Sequence, residues 1–374
     1  MFGTIILFIA VLSILVFVHE FGHFITAKKM GMKVEEFGFG FPPRLFKYRP
    51  KNSETLYTIN AIPVGGFVKI KGESGEHAGE ADSFASKSAP KRFSVLIAGV
   101  AMNIILAWVL LSIGFMLGLP SVIDDQLPKS ASVKNAEMII ASVVPESPAA
   151  RAQIEPGDEL LSIDGQVFDS AEAARDYIGS RGGEGIELSF AREGEDAQTV
   201  ALTSEQLKDL DQSGVGIGIL KTGLVSFPVH IALVQGFTAT GQFTYEVAKA
   251  FAELLGNLVS RGEVSVDLSG PVGIAVLTGQ VASLGFVYLL QFTALLSINL
   301  AIINVLPFPA LDGGRILFLL IEKVRGKAID VRVEALAHNL GFALLMVLVI
   351  LVTYRDFVRF GDQIFGTFRS LLGG

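Results

Sequence analysis

The chain has no cysteine. Disulfide staples and thiol catalysis are therefore excluded, and cysteine usage leaves the redox compartment undetermined. The N-terminus also lacks the marks of an export leader. No basic residue precedes the first apolar run, and no small-x-small cleavage site follows it. That run therefore reads as a retained helix. Histidine is scarce, at five residues in 374, so where the histidines stand is informative.

What is abundant is apolar surface. Half the residues are hydrophobic and mean hydropathy is +0.53, unusual for a soluble protein of this size. Four segments account for it, at about 2–27, 93–119, 284–311 and 336–352. Each is near the ~20 residues that span hydrocarbon. The expected fold is a polytopic α-helical membrane protein with about four transmembrane helices. A small membrane-associated β-hairpin sheet and one inserted α/β domain complete it.

The net charge of −7 conceals an asymmetry. Residues 28–92 carry 12 Lys and Arg against 7 Asp and Glu, and residues 121–281 carry 10 against 23. Basic residues favour the cytoplasmic ends of spanning segments. The first loop is thus expected inside and the acidic insert outside, with both termini outside after four crossings. Arg355 and Arg359 on the outer tail run against that rule. No nucleic-acid partner is expected.

The organisation follows. Residues 1–28 form the first crossing and 29–92 a cytoplasmic β-rich loop and linker. In "TLYTINAIPVGGFVKIKG", two β-rich runs flank "PVGG", a turn signal, and residues 73–90 read as a flexible linker. A second crossing covers 93–120. Residues 131–222 form a globular insert and 226–283 an amphipathic region lying on the outer face. A third crossing covers 284–312, a cytoplasmic segment 313–335, a fourth crossing 336–354 and a tail 355–374. In the insert, Ser147-Pro148 starts a helix before an Ala-rich run, and Pro156-Gly157-Asp158 turns into the strand "ELLSIDG". This order resembles a bacterial PDZ domain.

The chemistry lies in "LSILVFVHEFGHFITAKK". His19 and His23 are four apart, so a helix stacks them on one face. Both imidazoles can reach one Zn²⁺ ion, and Glu20 between them can serve as a general base. This is the H-E-x-x-H arrangement of zinc hydrolases. Ionisable residues inside a membrane segment are costly and are retained for function. The bland alternative is that all three meet headgroups near the helix end, which Lys28 and Lys29 mark. A catalytic zinc takes a third protein ligand. Asp312 in "NVLPFPALDGG" is the better candidate, and His338 stays open. Pro307 and Pro309 break the helix there, and irregular backbone at that depth needs protein or water around it.

Together, "HEFGH", "GGFVKIKG", "VLPFPALDGG" and one PDZ domain resemble the site-2 protease family of intramembrane zinc metalloproteases, in its RseP-type branch. The resemblance covers nearly the whole chain. It implies His19, His23 and Asp312 as ligands of one Zn²⁺ per chain and Glu20 as general base. It also implies Asn304 as a donor to the scissile carbonyl or its oxyanion. Regulated intramembrane proteolysis in a stress response follows from it, in the bacterial inner membrane. The PDZ would lie on the periplasmic side and the active site near the cytoplasmic side. Its substrates would be single-pass membrane proteins pre-cleaved by another protease, such as an anti-sigma factor or remnant signal peptides. The family's best-known members carry two PDZ domains, and this chain has length for one.

A substrate helix must unwind before its carbonyls can be attacked. Gly65, Gly66, Phe67, Val68, Lys69 and Ile70 are expected to bind it by strand addition. The PDZ would take a ligand peptide or the substrate's outer segment. Two other classes stand beside the protease: a PDZ-bearing membrane scaffold with a non-catalytic metal site, and a zinc transporter.

Overall fold

The structure is a computed structural model. It describes the backbone of all residues except 1, 52, 78, 125–126, 193–195, 207–212, 263–268, 328 and 372–374. The elements are, in order, α1 (Phe2–Lys29), β1 (Val34–Tyr48), β2 (Leu56–Ile70), a 3-10 turn (Phe84–Ser86), α2 (Ala89–Leu117), β3 (Leu119–Val122) and β4 (Ser132–Val143). Then follow α3 (Pro148–Arg151), β5 (Glu159–Ile163), α4 (Ala171–Ser180), β6 (Gly185–Ala191), β7 (Gln198–Thr203), β8 (Glu205–Gln206), β9 (Ser213–Gly214) and β10 (Ile217–Ser226). The chain ends with α5 (Val229–Arg261), α6 (Pro271–Leu284), α7 (Phe286–Val305), α8 (Asp312–Arg325) and α9 (Val331–Leu371). Two compact units result, 114–232 and the remainder.

In the larger unit, four helices are long and apolar enough to cross a bilayer: Gly3–Lys29, Ala89–Leu117, Phe286–Val305 and Val331–Gly361. At 1.5 Å per residue, α1 is about 42 Å long, more than the ~30 Å of hydrocarbon it must cross. Gly22 lets α1 approach α2 closely, because a Cβ there would stand 2.4 Å from the Ala98 carbonyl oxygen. Where α1, α2, α8 and the β-sheet meet, Phe24, Ala27, Val34, Phe37, Val95 and Leu319 form one buried cluster. Phe24 and Phe37 stack across it at 4.5 Å, an arrangement worth roughly 1 kcal/mol beyond its area.

The sheet departs from a simple hairpin. The runs 56–62 and 66–70 are one long bent strand, β2, and they are not each other's partners. Phe37 pairs with both Tyr57 and Val68, and Phe39 with both Ile59 and Gly66. The first half of β1 is thus sandwiched between the two halves of β2, while 44–48 pairs outside 57–60. The "PVGG" bend is fixed by α1, not by a tight turn: Ser13 Oγ donates to the Pro63 carbonyl at 2.5 Å. This leaves residues 66–70 as a sheet edge beside α1.

Residues 73–90 are better tied down than a flexible linker. Phe84 is buried in the cluster. Lys33 N donates to Asp82 O, and Phe84 N to Lys71 O. Apolar anchoring by one aromatic outweighs the Gly- and Ser-rich composition. The prolines after α7 end that helix at Val305, and Asp312 opens α8. Within the segment 313–335, residues 313–325 continue α8. The region 226–283 is dominated by α5 and α6, with 263–268 outside the description. Asp356 of α9 is buried and accepts from the backbone N–H of Gly270 and Gly273 at 3.1 and 2.8 Å, capping the N-terminus of α6. An anion there is favoured by the free N–H groups and the helix dipole.

The smaller unit holds a six-stranded sheet, in order β3-β10-β4-β5-β6-β7, with the short helices α3 and α4 between its strands. Its core includes Ile140, Ile163, Leu188, Phe190 and Ile219. Ser147 caps α3 by accepting from Ala150 N, with Pro148 at the first turn. Asp158 is 1% exposed. Arg192 beside it, at 2.8 Å, and the Glu155 N–H hold its carboxyl below the usual range.

Candidate active site

Helix α1 supplies three of the expected residues from one stretch without proline. His19 and His23 are both 7% exposed, and their Nε2 atoms lie 3.1 Å apart. Asp312 arrives from α8. Its Oδ2 lies 3.0 Å from His19 Nε2 and 3.2 Å from His23 Nε2. Three potential ligand atoms thus form a nearly equilateral triangle, the one such group among the described residues.

This donor set fits zinc. Zinc ligands at about 2.0–2.1 Å in tetrahedral geometry stand about 3.3–3.4 Å from each other. The observed edges are close to that. Two imidazole nitrogens and one carboxylate leave a fourth position for water, as catalytic zinc sites require. Without a cation, two buried imidazoles and a half-buried carboxylate so close would repel or would have to share protons.

Several contacts aim these groups. His23 Nδ1 lies 2.8 Å from the Val95 carbonyl oxygen. That oxygen only accepts, so Nδ1 carries the proton and Nε2 presents its lone pair to the triangle. Gly99, one turn further along α2, forms the floor beneath both rings. A Cβ there would stand 2.4 Å from His23 Nε2 and 2.6 Å from His19 Cε1.

Asp312 is held through the loop before it. Gly313 and Gly314 let residues 305–308 fold back over the first turn of α8: Cβ atoms would stand 2.1 Å from Leu306 O and 2.4 Å from Phe308 O. Ala310 adopts φ +81°, a conformation that costs a non-glycine residue roughly 1–3 kcal/mol. His338 of α9 stabilises it, with Nδ1 accepting from Ala310 N at 2.9 Å. His338 is therefore occupied by the loop two residues from Asp312 and lies outside the triangle. Gly341, one turn on, packs against Pro309.

Glu20 sits on the same helix, half-buried, and its Oε2 accepts from Val68 N at 3.2 Å. That N–H belongs to the open edge of β2. Gly65 and Gly66 pack close on Val16 and Phe17 of α1. Residues 65–70 therefore run alongside the H-E-x-x-H turn. Asn304 lies in the last turn of α7, half-buried, at the start of the loop that leads to Asp312.

The contribution of α2 was missed from sequence. Val95, Gly99 and Asn103 are spaced by four and face the histidines. The available signal was one asparagine with only apolar residues for two turns on either side.

Residues 7–348 match Peptidase family M50. A zinc metalloprotease RasP of Geobacillus kaustophilus is 32% identical, the alignment covering 96% of this chain and 98% of the relative. A putative zinc metalloprotease of Clostridium perfringens is 38% identical over 92% of this chain and 96% of its own. The regulator of sigma-W protease RasP of Bacillus subtilis is 31% identical over 96% and 99%. Among solved structures, the PDZ domain of an SdrC-like protein of Listeria monocytogenes is similar, at 25% identity, TM-score 0.21, covering 24% of this chain and 92% of that one.

Gly99→Ala tests the floor. The added methyl must displace an imidazole, so purified protein should retain well under half the metal of the unaltered chain, measured by elemental analysis. Equal metal content would show that the rings are not held against α2.

Proposed function

From the premise that this chain belongs to peptidase family M50, the site-2 zinc metalloproteases, we propose that it hydrolyses a peptide bond in or near the membrane segment of single-pass proteins. The observation that carries this reading is the triangle of His19, His23 and Asp312, with Glu20 one residue away and tied to a sheet edge. In this reading His19 Nε2, His23 Nε2 and an Asp312 carboxylate oxygen hold one zinc per chain. Zinc bound there polarises the scissile carbonyl and makes water a nucleophile near neutral pH.

The chain's own groups do the rest. The substrate segment is unwound and laid along Gly65, Gly66, Phe67, Val68, Lys69 and Ile70, whose outer N–H and C=O groups complete a strand pair. Glu20 takes the proton of the attacking water and delivers it to the leaving nitrogen, so the carboxylate is restored after each cycle. The Val68 N–H steadies Glu20 between turnovers. Asn304 donates to the scissile carbonyl or the oxyanion that forms from it. Val95, through the His23 Nδ1–H, keeps that ring's lone pair aimed.

The active site faces the cytoplasmic side of the bacterial inner membrane and the PDZ domain the outer side, consistent with the basic first loop and acidic insert. There the PDZ meets the outer segment of a substrate already shortened by another protease. The name of the Bacillus relative, a regulator of a sigma factor, supports a membrane-anchored anti-sigma factor as one substrate. Remnant signal peptides share the required single-pass form.

The test uses the full chain in detergent with a single-pass substrate whose outer domain is trimmed. Unaltered protein and Glu20→Gln should each hold about one zinc per chain, with cleavage reduced by roughly 10²–10⁴-fold in the variant. Cleavage by Glu20→Gln near the unaltered rate would contradict its role as base. In the same assay, Val68→Pro removes the edge N–H. It should keep its zinc and lose most cleavage, and undiminished cleavage would overturn the strand clamp.

A further inference from the structure

Asn103 is fully buried in α2, one turn beyond Gly99, inside a span that is otherwise apolar around it. A buried amide costs free energy unless both its ends find partners. Here one end does not: Asn103 Oδ1 is buried with no hydrogen-bond partner among the described residues. The other end, Nδ2, lies 3.4 Å from His19 Nδ1. The backbone is anchored independently, since Ser297 Oγ of α7 donates to the Asn103 carbonyl at 2.8 Å. The side chain is thus carried to the back of the His19 ring by α2 and held there by α7.

His19 Nε2 faces Asp312 and His23 Nε2. If Nε2 gives its lone pair to a metal, the ring's proton must sit on Nδ1, which becomes a donor. An Asn NH₂ against that N–H is donor against donor. An amide's oxygen and nitrogen ends are distinguished by their partners. Half a turn about χ2 exchanges the two ends and brings Oδ1 to His19 Nδ1. One amide end lacks a partner in either orientation, so the repulsion decides between them. The turned form converts it into an attraction and gives the orphaned oxygen its donor.

We infer that Asn103 is a positioning residue for the metal centre: its Oδ1 accepts the Nδ1–H of His19 and fixes the tautomer that presents Nε2 to zinc. Val95 O does the same for His23. The two imidazoles are therefore oriented by two acceptors on one face of α2, eight residues apart, one from the backbone and one from a side chain. Outer partners of ligating histidines typically change metal affinity by about 10–100-fold when removed. This inference rests on the reading of His19 as a zinc ligand.

The experiment measures zinc affinity by chelator competition on the full chain in detergent, for unaltered protein, Asn103→Leu and Asn103→Asp. Leu keeps the volume and removes the acceptor, and Asp keeps an acceptor. Asn103→Leu should bind zinc about 10–100-fold more weakly, and Asn103→Asp within a few-fold of the unaltered chain. Equal affinity in Asn103→Leu would overturn the inference, as would equal losses in both variants, which would make packing the whole contribution. A measurement on unaltered protein is independent of how the variants fold. With ¹⁵N-labelled histidine and zinc loaded, two exchange-protected Nδ1–H signals are expected, from His19 and His23. A single protected signal would contradict the inference. Absence of zinc from the unaltered chain would instead sink the ligand reading of His19 itself.

Discussion

The structure depends on bringing two imidazole nitrogens and a carboxylate oxygen to within 3.2 Å of one another among apolar helices. Acceptors so crowded and so dry are unfavourable unless a cation joins them. The surrounding features lower the cost of assembling that triangle. Gly99 clears the space beneath the rings. Val95 and Asn103 address their far sides. Gly313 and Gly314 allow the loop after α7 to fold tightly over α8, and His338 holds Ala310 in a conformation that L-residues avoid.

A second constraint follows from the membrane. A helical substrate has its carbonyls committed to its own backbone, so hydrolysis needs an extended segment. The bent β2 strand supplies an edge at the level of Glu20. Because both halves of β2 flank β1, residues 66–70 are left as an edge while the rest of the sheet stays paired. The hydrogen bond from Val68 N to Glu20 makes that edge and the H-E-x-x-H turn parts of one arrangement.

Much of this was legible in the sequence where the signal is local. The i, i+4 histidines with glutamate, the proline-broken approach to Asp312, and the Ser147-Pro148 cap each act within a few residues. What stayed hidden is long-range. Nothing in "PVGG" tells whether its flanking runs pair with each other or with a third strand between them, since register is set by packing against α1. Residues 73–90 have the composition of a linker, and the burial of Phe84 and the backbone hydrogen bonds of Asp82 and Phe84 show otherwise. Asn103 carries no spacing motif, and its meaning appears once α2 is laid against α1. His338 looked like a possible ligand by depth, and the structure assigns its Nδ1 to the loop.

The central claim is that His19, His23 and Asp312 together hold one catalytic zinc. X-ray absorption at the zinc edge of the purified full chain, with metal and protein quantified on the same sample, addresses it most directly. The account predicts about one zinc per chain, two imidazole nitrogens and only oxygen besides, at about 2.0–2.1 Å. A zinc with fewer than two imidazoles, or unaltered metal binding after His23→Ala, would contradict it.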